Sequence, residues 1–166
     1  MSSRRHSRLE RTAYHEAGHA VAAYVMRRRI RSVTVIPEGD TLGRATLTKW
    51  PSDLHPDRDR GRRTRAWIER EIITLLGGTA AVERLVGRFP KRGTETDWRV
   101  AFNLITHLAG SEEETDAYME WLWVRTKDLV DLYWFAVEAL AAELLARRRV
   151  GERRAREVIA KERCQS

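Results

Sequence analysis

The chain has 166 residues, of which 42% are hydrophobic and 33% charged, and these values predict one soluble globular domain with a core of its own. The net charge of +7 would suit a polyanionic ligand, but the arginines alternate with acidic residues along predicted helices without a nucleic-acid-binding signature, which disfavours nucleic-acid binding. The absence of any run of about 18 apolar residues argues against a membrane span, and a single cysteine excludes an internal disulfide, which is consistent with a cytoplasmic location.

The first predicted helix runs from residue 7 or 9 to residue 28, after an arm over residues 1–7 that we expect to be mobile. Small and apolar residues surround its middle, so most of its faces should be buried. Gly18 inside a helix costs about 1 kcal/mol relative to alanine. A close approach by another part of the protein at Gly18 is therefore expected.

This helix carries the HExxH motif His15-Glu16-Ala17-Gly18-His19. Residues four apart lie on one face of a helix, so the two histidines can bind one metal ion. Glu16 lies on the flank of that face, from where its carboxylate can act on a water at the metal, as a zinc hydrolase requires. The alternative, two solvated histidines on a surface helix, is disfavoured by the apolar surroundings.

A catalytic zinc ion usually has three protein ligands, so the motif needs one more. The extended form HExxHxxGxxH is absent, because Ala22 and Val25 stand at the positions of its glycine and third histidine. Cys164 lies in a charged tail and is an improbable ligand. The third ligand should be a carboxylate or a histidine that is distant in sequence.

Two strands are predicted next, over residues 32–36 and 42–48, joined by a turn over residues 37–40. They would form a small hairpin with one packed face. A free outer edge near the metal could bind an extended peptide as an additional strand, or it could simply cover the core. The sequence leaves both interpretations open. Residues 49–63 should then form a long exposed loop, a candidate lid, with His55 in solvent.

A second helix is predicted over residues 62–76, with a close approach at Gly77-Gly78 and a continuation to Gly87. The third helix follows a loop over residues 88–96 and would be capped by Thr94 or Thr96, with Asp97 in its first turn. An inward-facing Asp97 either caps the helix or binds the metal. The need of the HExxH motif for a third ligand favours the metal.

Residues 111–166 are predicted to be helical, with a capping box at Ser111. Five aromatic residues there should mostly belong to the core, with a subunit interface as the alternative: Tyr118, Trp121, Trp123, Trp134 and Phe135. His107 lies about 80° from Asp97 around its helix, so we do not expect it at the metal. The predicted elements together indicate a mainly α (α+β) fold with a small hairpin beside the HExxH helix.

Four sets of residues, in this order, resemble the motifs of the FtsH (M41) peptidase domain: residues 12–21, residues 33–37 with Leu42-Gly43, residues 77–81, and Asp97 with Ala101. The similarity covers residues 8–110 and extends more loosely into residues 140–160. It implies that Asp97 is the third Zn²⁺ ligand beside His15 and His19. Residues 1–166 would then form a single peptidase-like domain, with a zinc-site core over 8–110 and a helical C-terminal part over 111–166.

The chain departs from the family pattern in three respects. Val82 stands where the family usually has glutamate, and Thr96 stands where it has asparagine. The family usually joins the peptidase to transmembrane helices and an AAA ATPase, but this sequence has no GxxxxGK[ST] phosphate loop. No ATP binding is therefore expected in this chain, and a separate ATPase partner or a homo-oligomer stays open.

These features predict a zinc-dependent endopeptidase that hydrolyses flexible or unfolded polypeptides, with Glu16 as its catalytic base. One alternative is a proteolytically inactive module that binds a metal or a peptide together with a partner. A basic nucleic-acid-binding protein is the less favoured alternative.

Overall fold

The computed structural model describes residues 6–90 and 93–163, so Cys164 and most of the predicted N-terminal arm lie outside the described residues. The described residues form six helices and one small sheet, which confirms the predicted mainly α fold with a small β element. In chain order the elements are α1 Arg8–Val25, β1 Ile30–Thr34, β2 Arg44–Leu47, α2 Arg62–Val86, α3 Glu95–Ile105, α4 Glu112–Leu132, α5 Trp134–Arg147, β3 Arg149–Gly151 and α6 Glu152–Arg163.

Helix α1 begins with a side-chain cap and ends earlier than the sequence predicts. The hydroxyl of Ser7 accepts a hydrogen bond from the backbone N–H of Glu10 at 3.1 Å. The helix ends at Val25 rather than at residue 28, because Arg27 adopts a left-handed conformation with φ 58°. The chain then turns directly into β1.

Helices α1 and α2 touch through their backbones. A Cβ atom on Gly18 would lie 2.7 Å from Cβ of Ala81 and would clash with the carbonyl group of Gly77. A Cβ atom on Gly77 would lie 2.7 Å from Cβ of Ala22. The close approach expected at Gly18 and at Gly77-Gly78 is confirmed, and it brings the histidine-bearing face of α1 against α2.

The sheet has the order β2-β1-β3 with antiparallel neighbours. Strand β1 begins and ends two residues earlier than predicted, and β2 is confined to Arg44–Leu47 within the predicted range 42–48. Beyond Thr34 no ladder with β2 continues, although the backbone N–H of Val35 still donates to the carbonyl oxygen of Arg148 at 2.9 Å. The hairpin itself is present as predicted.

Strand β3 was not predicted, because it lies in a segment interpreted as entirely helical. Helix α5 ends where Arg148 takes a left-handed φ of 65°, and the next residues pair with β1, with Val150 opposite Val33. Both valines are buried in the core. Strand β3 covers one side of β1, so β2 forms the outer edge of the sheet on the other side.

The aromatic residues of the C-terminal part are less buried than predicted. Trp123 belongs to the core, and Tyr118 and Trp134 pack against it. Trp121 and Phe135 are 45% and 69% exposed, so the prediction of a core position is wrong for these two side chains. The capping box is confirmed in part: the hydroxyl of Ser111 accepts from the N–H of Glu114, whose carboxylate accepts from the N–H of Gly110.

One hydrophobic cluster extends from α1 to α6, with members from Ala13 to Ile159. It therefore includes residues on both sides of the predicted subdivision at residue 110. Within residues 6–90 and 93–163, the helices are too short or too polar to cross a membrane.

Gly18→Ala should destabilise the protein, because its new methyl group would meet the backbone of α2. Overpacking of this kind costs about 1–3 kcal/mol of the free energy of unfolding, and urea denaturation would measure it. Gly151→Ala is the matched control, since a Cβ atom there meets nothing within 4 Å, and its effect should stay within about 0.5 kcal/mol. Equal stabilities of the two variants would contradict the proposed helix contact.

Candidate metal centre

Two helices bring three potential ligand atoms together. His15 and His19 lie on successive turns of α1, and their Nε2 atoms are 3.0 Å apart. Oδ2 of Asp97, in the first turn of α3, lies 3.3 Å from Nε2 of His15 and 3.4 Å from Nε2 of His19. Among the described residues, these three form the one group of histidine, cysteine and acidic side chains with a geometry suited to a metal ion.

The size of this triangle fits a tetrahedral zinc ion. Zinc bonds of about 2.0–2.1 Å at tetrahedral angles separate neighbouring ligand atoms by about 3.3 Å. The three observed distances, 3.0, 3.3 and 3.4 Å, correspond to one face of such a tetrahedron. Two imidazoles and a carboxylate are also a ligand set that zinc accepts. The residues present therefore fit this metal.

The ring of His19 is fixed by α2. Its Nδ1 donates a hydrogen bond to the backbone carbonyl oxygen of Thr74 at 2.9 Å, which leaves Nε2 of the neutral ring with its lone pair directed at the site. Gly78 provides the space for both rings, because a Cβ atom there would lie 2.5 Å from Nε2 of His19 and 2.8 Å from Cε1 of His15. The glycine pair of α2 thus serves both the helix contact and the histidines.

Glu16 lies on the flank of the histidine face, between α1 and the start of β2. It is 6% exposed, and its carboxylate accepts a hydrogen bond from the backbone of Ala45. Gly43 leaves room for it, since a Cβ atom there would lie 2.9 Å from Cγ of Glu16. The buried carboxylate therefore lies where the outer strand of the sheet meets the metal-binding face.

The electrostatics of the site follow from burial and from the two opposite charges. Burial alone would lower the pKa of His19, but the hydrogen bond and the charge of Asp97 raise it to about 9. Burial would raise the pKa of the Asp97 carboxyl, yet hydrogen bonds from His15 and His19 hold it well below its usual value. Burial raises the pKa of Glu16, although the charges of His19 and His15 oppose this effect.

Asp97 faces the imidazoles, and the carboxylate of Glu95 binds the backbone just before α3. Oε2 of Glu95 accepts hydrogen bonds from the backbone N–H groups of Gly93 at 2.7 Å and Thr94 at 3.0 Å. Thr94 is the N-cap residue, but its side chain makes no capping hydrogen bond. Asp97, considered as a cap from the sequence, therefore faces the imidazoles instead, and Glu95 fixes the two residues that precede the helix.

The other histidines considered from the sequence lie away from this group. His55 is exposed in the loop before α2, and His107 follows the end of α3; neither belongs to the cluster of potential ligands. Val82, which the resemblance noted in the sequence sets where a glutamate is expected, is buried on α2 at 6% exposure.

Three contributors to the site escaped the sequence analysis. The carbonyl group of Thr74 has no side-chain signature, because every residue carries one. Gly43 stands in a predicted strand and in the family motif Leu42-Gly43, but neither pattern indicates that it lies against Glu16, and the backbone of Ala45 reaches Glu16 only through the tertiary fold. The Gly77-Gly78 pair did signal a close approach, but the sequence did not reveal that histidine rings occupy the space.

The pKa shifts predict how the stability of the metal-free protein depends on pH. Because the folded pKa of His19, about 9, exceeds its ordinary value of 6.5, protonated His19 stabilises the fold below pH 6.5 and this contribution is lost as the pH rises through 9. Asp97 has a lowered pKa, so its contribution is present above its ordinary value of 3.8 and is lost at lower pH. The free energy of unfolding should therefore decrease between pH 6.5 and 9.

Urea denaturation of chelator-treated protein across this pH range would measure the decrease. The Asp97→Asn variant is the control, because removal of the carboxylate charge should flatten the dependence. The same slope in both proteins would contradict the assignment to the His19–Asp97 pair.

Comparison with known proteins matches residues 3–111 to the sequence model of peptidase family M41. The chain is 38% identical over 101 residues to an ATP-dependent zinc metalloprotease FtsH of Syntrophus aciditrophicus, which covers 60% of this chain and 13% of the relative. It is 34% identical over 108 residues to a protein of the same name from Mycobacterium bovis, covering 61% of this chain and 13% of the relative. It is 39% identical over 90 residues to an ATP-dependent zinc metalloprotease FtsH 2 of Sphaerobacter thermophilus, covering 52% of this chain and 13% of the relative.

The chain thus spans about an eighth of the length of these relatives. The match to the family model nevertheless extends over well more than half of the chain and includes the HExxH helix, β1, β2, α2 and α3. The resemblance noted from the ordered motifs is confirmed, and the chain belongs to peptidase family M41.

Proposed function

We propose that this protein is a zinc-dependent endopeptidase that cleaves flexible or unfolded polypeptides. The observation that carries the proposal is the triangle of His15, His19 and Asp97, with its zinc-sized edges, beside the buried carboxylate of Glu16. Membership of a peptidase family and the names of the relatives, which are zinc metalloproteases, support the same activity.

Nε2 of His15, Nε2 of His19 and Oδ2 of Asp97 would hold the zinc ion. When bound, Zn²⁺ supplies Lewis acidity, which lowers the pKa of water towards about 7 and polarises a peptide carbonyl. The hydrogen bond from His19 to Thr74 orients one ligand, and such outer partners strengthen metal binding. The ligands come from two separate helices, so the site depends on the packing of α1, α2 and α3.

Glu16 would act as the general base and then as the general acid. Its carboxylate accepts a proton from the water that attacks the peptide carbonyl and delivers this proton to the leaving amine. Burial raises the pKa of Glu16, which brings it closer to the range in which a carboxylate can both accept and release a proton near neutral pH.

The outer edge of β2 is the proposed binding site for the substrate. Strand β2 pairs with β1 on one side, and in the described part of the chain no strand pairs with its other side. Glu16 lies against the beginning of this strand through Gly43 and Ala45. An extended peptide that adds to this edge would pass the catalytic carboxylate, and flexible or unfolded segments present such a strand most readily.

The proposed peptidase activity does not include ATP-driven unfolding of substrates. The FtsH relatives are named as ATP-dependent, whereas these 166 residues contain no GxxxxGK[ST] loop. An ATPase that assists this peptidase would have to be a separate partner or lie outside these 166 residues.

The second candidate function is a proteolytically inactive metal- or peptide-binding module, which Val82 in place of the family glutamate favours.

Glu16→Gln should abolish cleavage while zinc is retained, because Glu16 handles the proton and is not a ligand. The loss expected from removal of a general base is at least about 100-fold, measured with fluorescent casein as an unstructured substrate and with the zinc content from atomic absorption. Glu10→Gln changes the other glutamate of α1 and should cleave like the wild type. Equal cleavage by wild type and Glu16→Gln would contradict the role of Glu16, and inert wild-type protein would favour the binding module.

Asp97→Asn should weaken zinc binding, since a neutral amide oxygen is a much poorer ligand than a carboxylate. The loss should be at least about tenfold, which is the lower end of what even an outer partner of a metal ligand contributes. Competition with a chromophoric chelator measures the affinity. Asp116→Asn, an exposed aspartate of α4, is the matched control. Wild-type affinity in Asp97→Asn would exclude Asp97 as a ligand.

A further inference from the structure

Three aromatic rings pack together beside the helix that carries Asp97. Trp98 of α3 lies with its ring centroid 5.2 Å from that of Trp123 of α4. Phe89, in the segment between α2 and α3, lies 5.8 Å from Trp98 and 6.0 Å from Trp123. All three pairs are edge-to-face, the arrangement that aromatic quadrupoles favour. We call Phe89, Trp98 and Trp123 the aromatic cluster.

The start of α3 has few other apolar anchors. Its N-cap residue Thr94 makes no side-chain capping bond, and the buried residues of the helix, Ala101 and Ile105, lie one and two turns further on. Trp98 is the only large apolar side chain in the first turn of α3. Beside the hydrogen bonds of Glu95 to Gly93 and Thr94, the packing of the indole ring is the apolar contact that holds this turn.

Asp97 is the immediate neighbour of Trp98, and its carboxylate has little positional freedom. Its Oδ2 must remain about 3.3 Å from both imidazole nitrogens for all three atoms to bind one tetrahedral zinc ion. A movement of the first turn by one ångström would change these distances, now 3.3 and 3.4 Å, by several times the tolerance of about 0.2 Å that a metal site allows. Any loosening of the indole packing would thus act on the third ligand first.

We propose that the aromatic cluster positions Asp97 for metal binding and that Trp98 is its central positioning residue. Through Trp123 the cluster connects the helical C-terminal part with the metal centre, because α4 carries this tryptophan. The inference rests on the proposed zinc site. In this proposal Trp98 is not a ligand, and it acts on the metal site only through Asp97, its neighbour in the chain.

The indole nitrogen of Trp98 supports a packing role. Nε1 is buried without a hydrogen-bond partner among the described residues, so the orientation of the ring is set by its shape and by the two neighbouring rings. Phenylalanine should then replace tryptophan with little loss, whereas alanine should release the first turn of α3. This difference separates positioning by ring packing from hydrogen bonding.

The test compares Trp98→Ala, Trp98→Phe and Trp121→Ala. Trp121 is the matched control, because it lies on α4 but is 45% exposed. Trp98→Ala should bind zinc at least about tenfold more weakly than wild type in chelator competition, as expected for the loss of an outer partner, and its Co²⁺ complex should lose intensity in the visible d–d bands. Trp98→Phe and Trp121→Ala should bind zinc like the wild type, without that loss.

Urea denaturation of the metal-free variants separates a local effect from global unfolding. Folded Trp98→Ala with wild-type zinc affinity and a wild-type Co²⁺ spectrum would overturn the proposal. If Trp98→Ala fails to fold, Phe89→Ala at the exposed edge of the cluster takes its place, with the same direction of change expected and the same overturning result. Wild-type protein that binds no zinc would instead overturn the proposed function itself.

Discussion

The contact between the backbones of α1 and α2 is the constraint on which the rest of this structure depends. Gly18 and Gly77 allow the helices to approach until main-chain atoms touch, and the neighbouring Gly78 leaves a recess of the size of two imidazole edges. Across the same contact, the carbonyl oxygen of Thr74 on α2 accepts a hydrogen bond from Nδ1 of His19. Without this approach the rings would have neither space nor a fixed orientation.

The same packing explains why the site combines burial with charge. A carboxylate and a protonated imidazole are normally expensive to bury, but each is stabilised here by the other, and their pKa values move apart accordingly. Glu16 differs, because burial dominates over the charges around it and its pKa rises. The pKa of Asp97 is thus lowered and the pKa of Glu16 is raised, which suits Asp97 for metal binding and Glu16 for proton transfer.

The sequence allowed prediction of features that local chemistry determines. The HExxH spacing, the glycine pair, the cap at Ser111 and the position of Asp97 in a first turn can all be read from neighbouring residues. The start of β1 could not, since it depends on the pairing of Ile30 with Leu47 across the hairpin. The existence of β3 could not, since it depends on pairing between segments more than a hundred residues apart. Arg148 has a left-handed backbone without being glycine, so the end of α5 gave no compositional signal.

The position of β3 at the side of β1 has a consequence for the integrity of the domain. The segment that matches the family model ends at residue 111 and includes every proposed ligand, yet the strand that completes the sheet comes from residues 149–151. A fragment cut at residue 111 would leave both β1 and β2 with open edges, which are templates for intermolecular association. In the intact chain the three-residue β3 replaces the five-residue β1 as one edge of the sheet, and a shorter edge is a poorer template for association. Folding must close a loop of about 115 residues before this replacement is made.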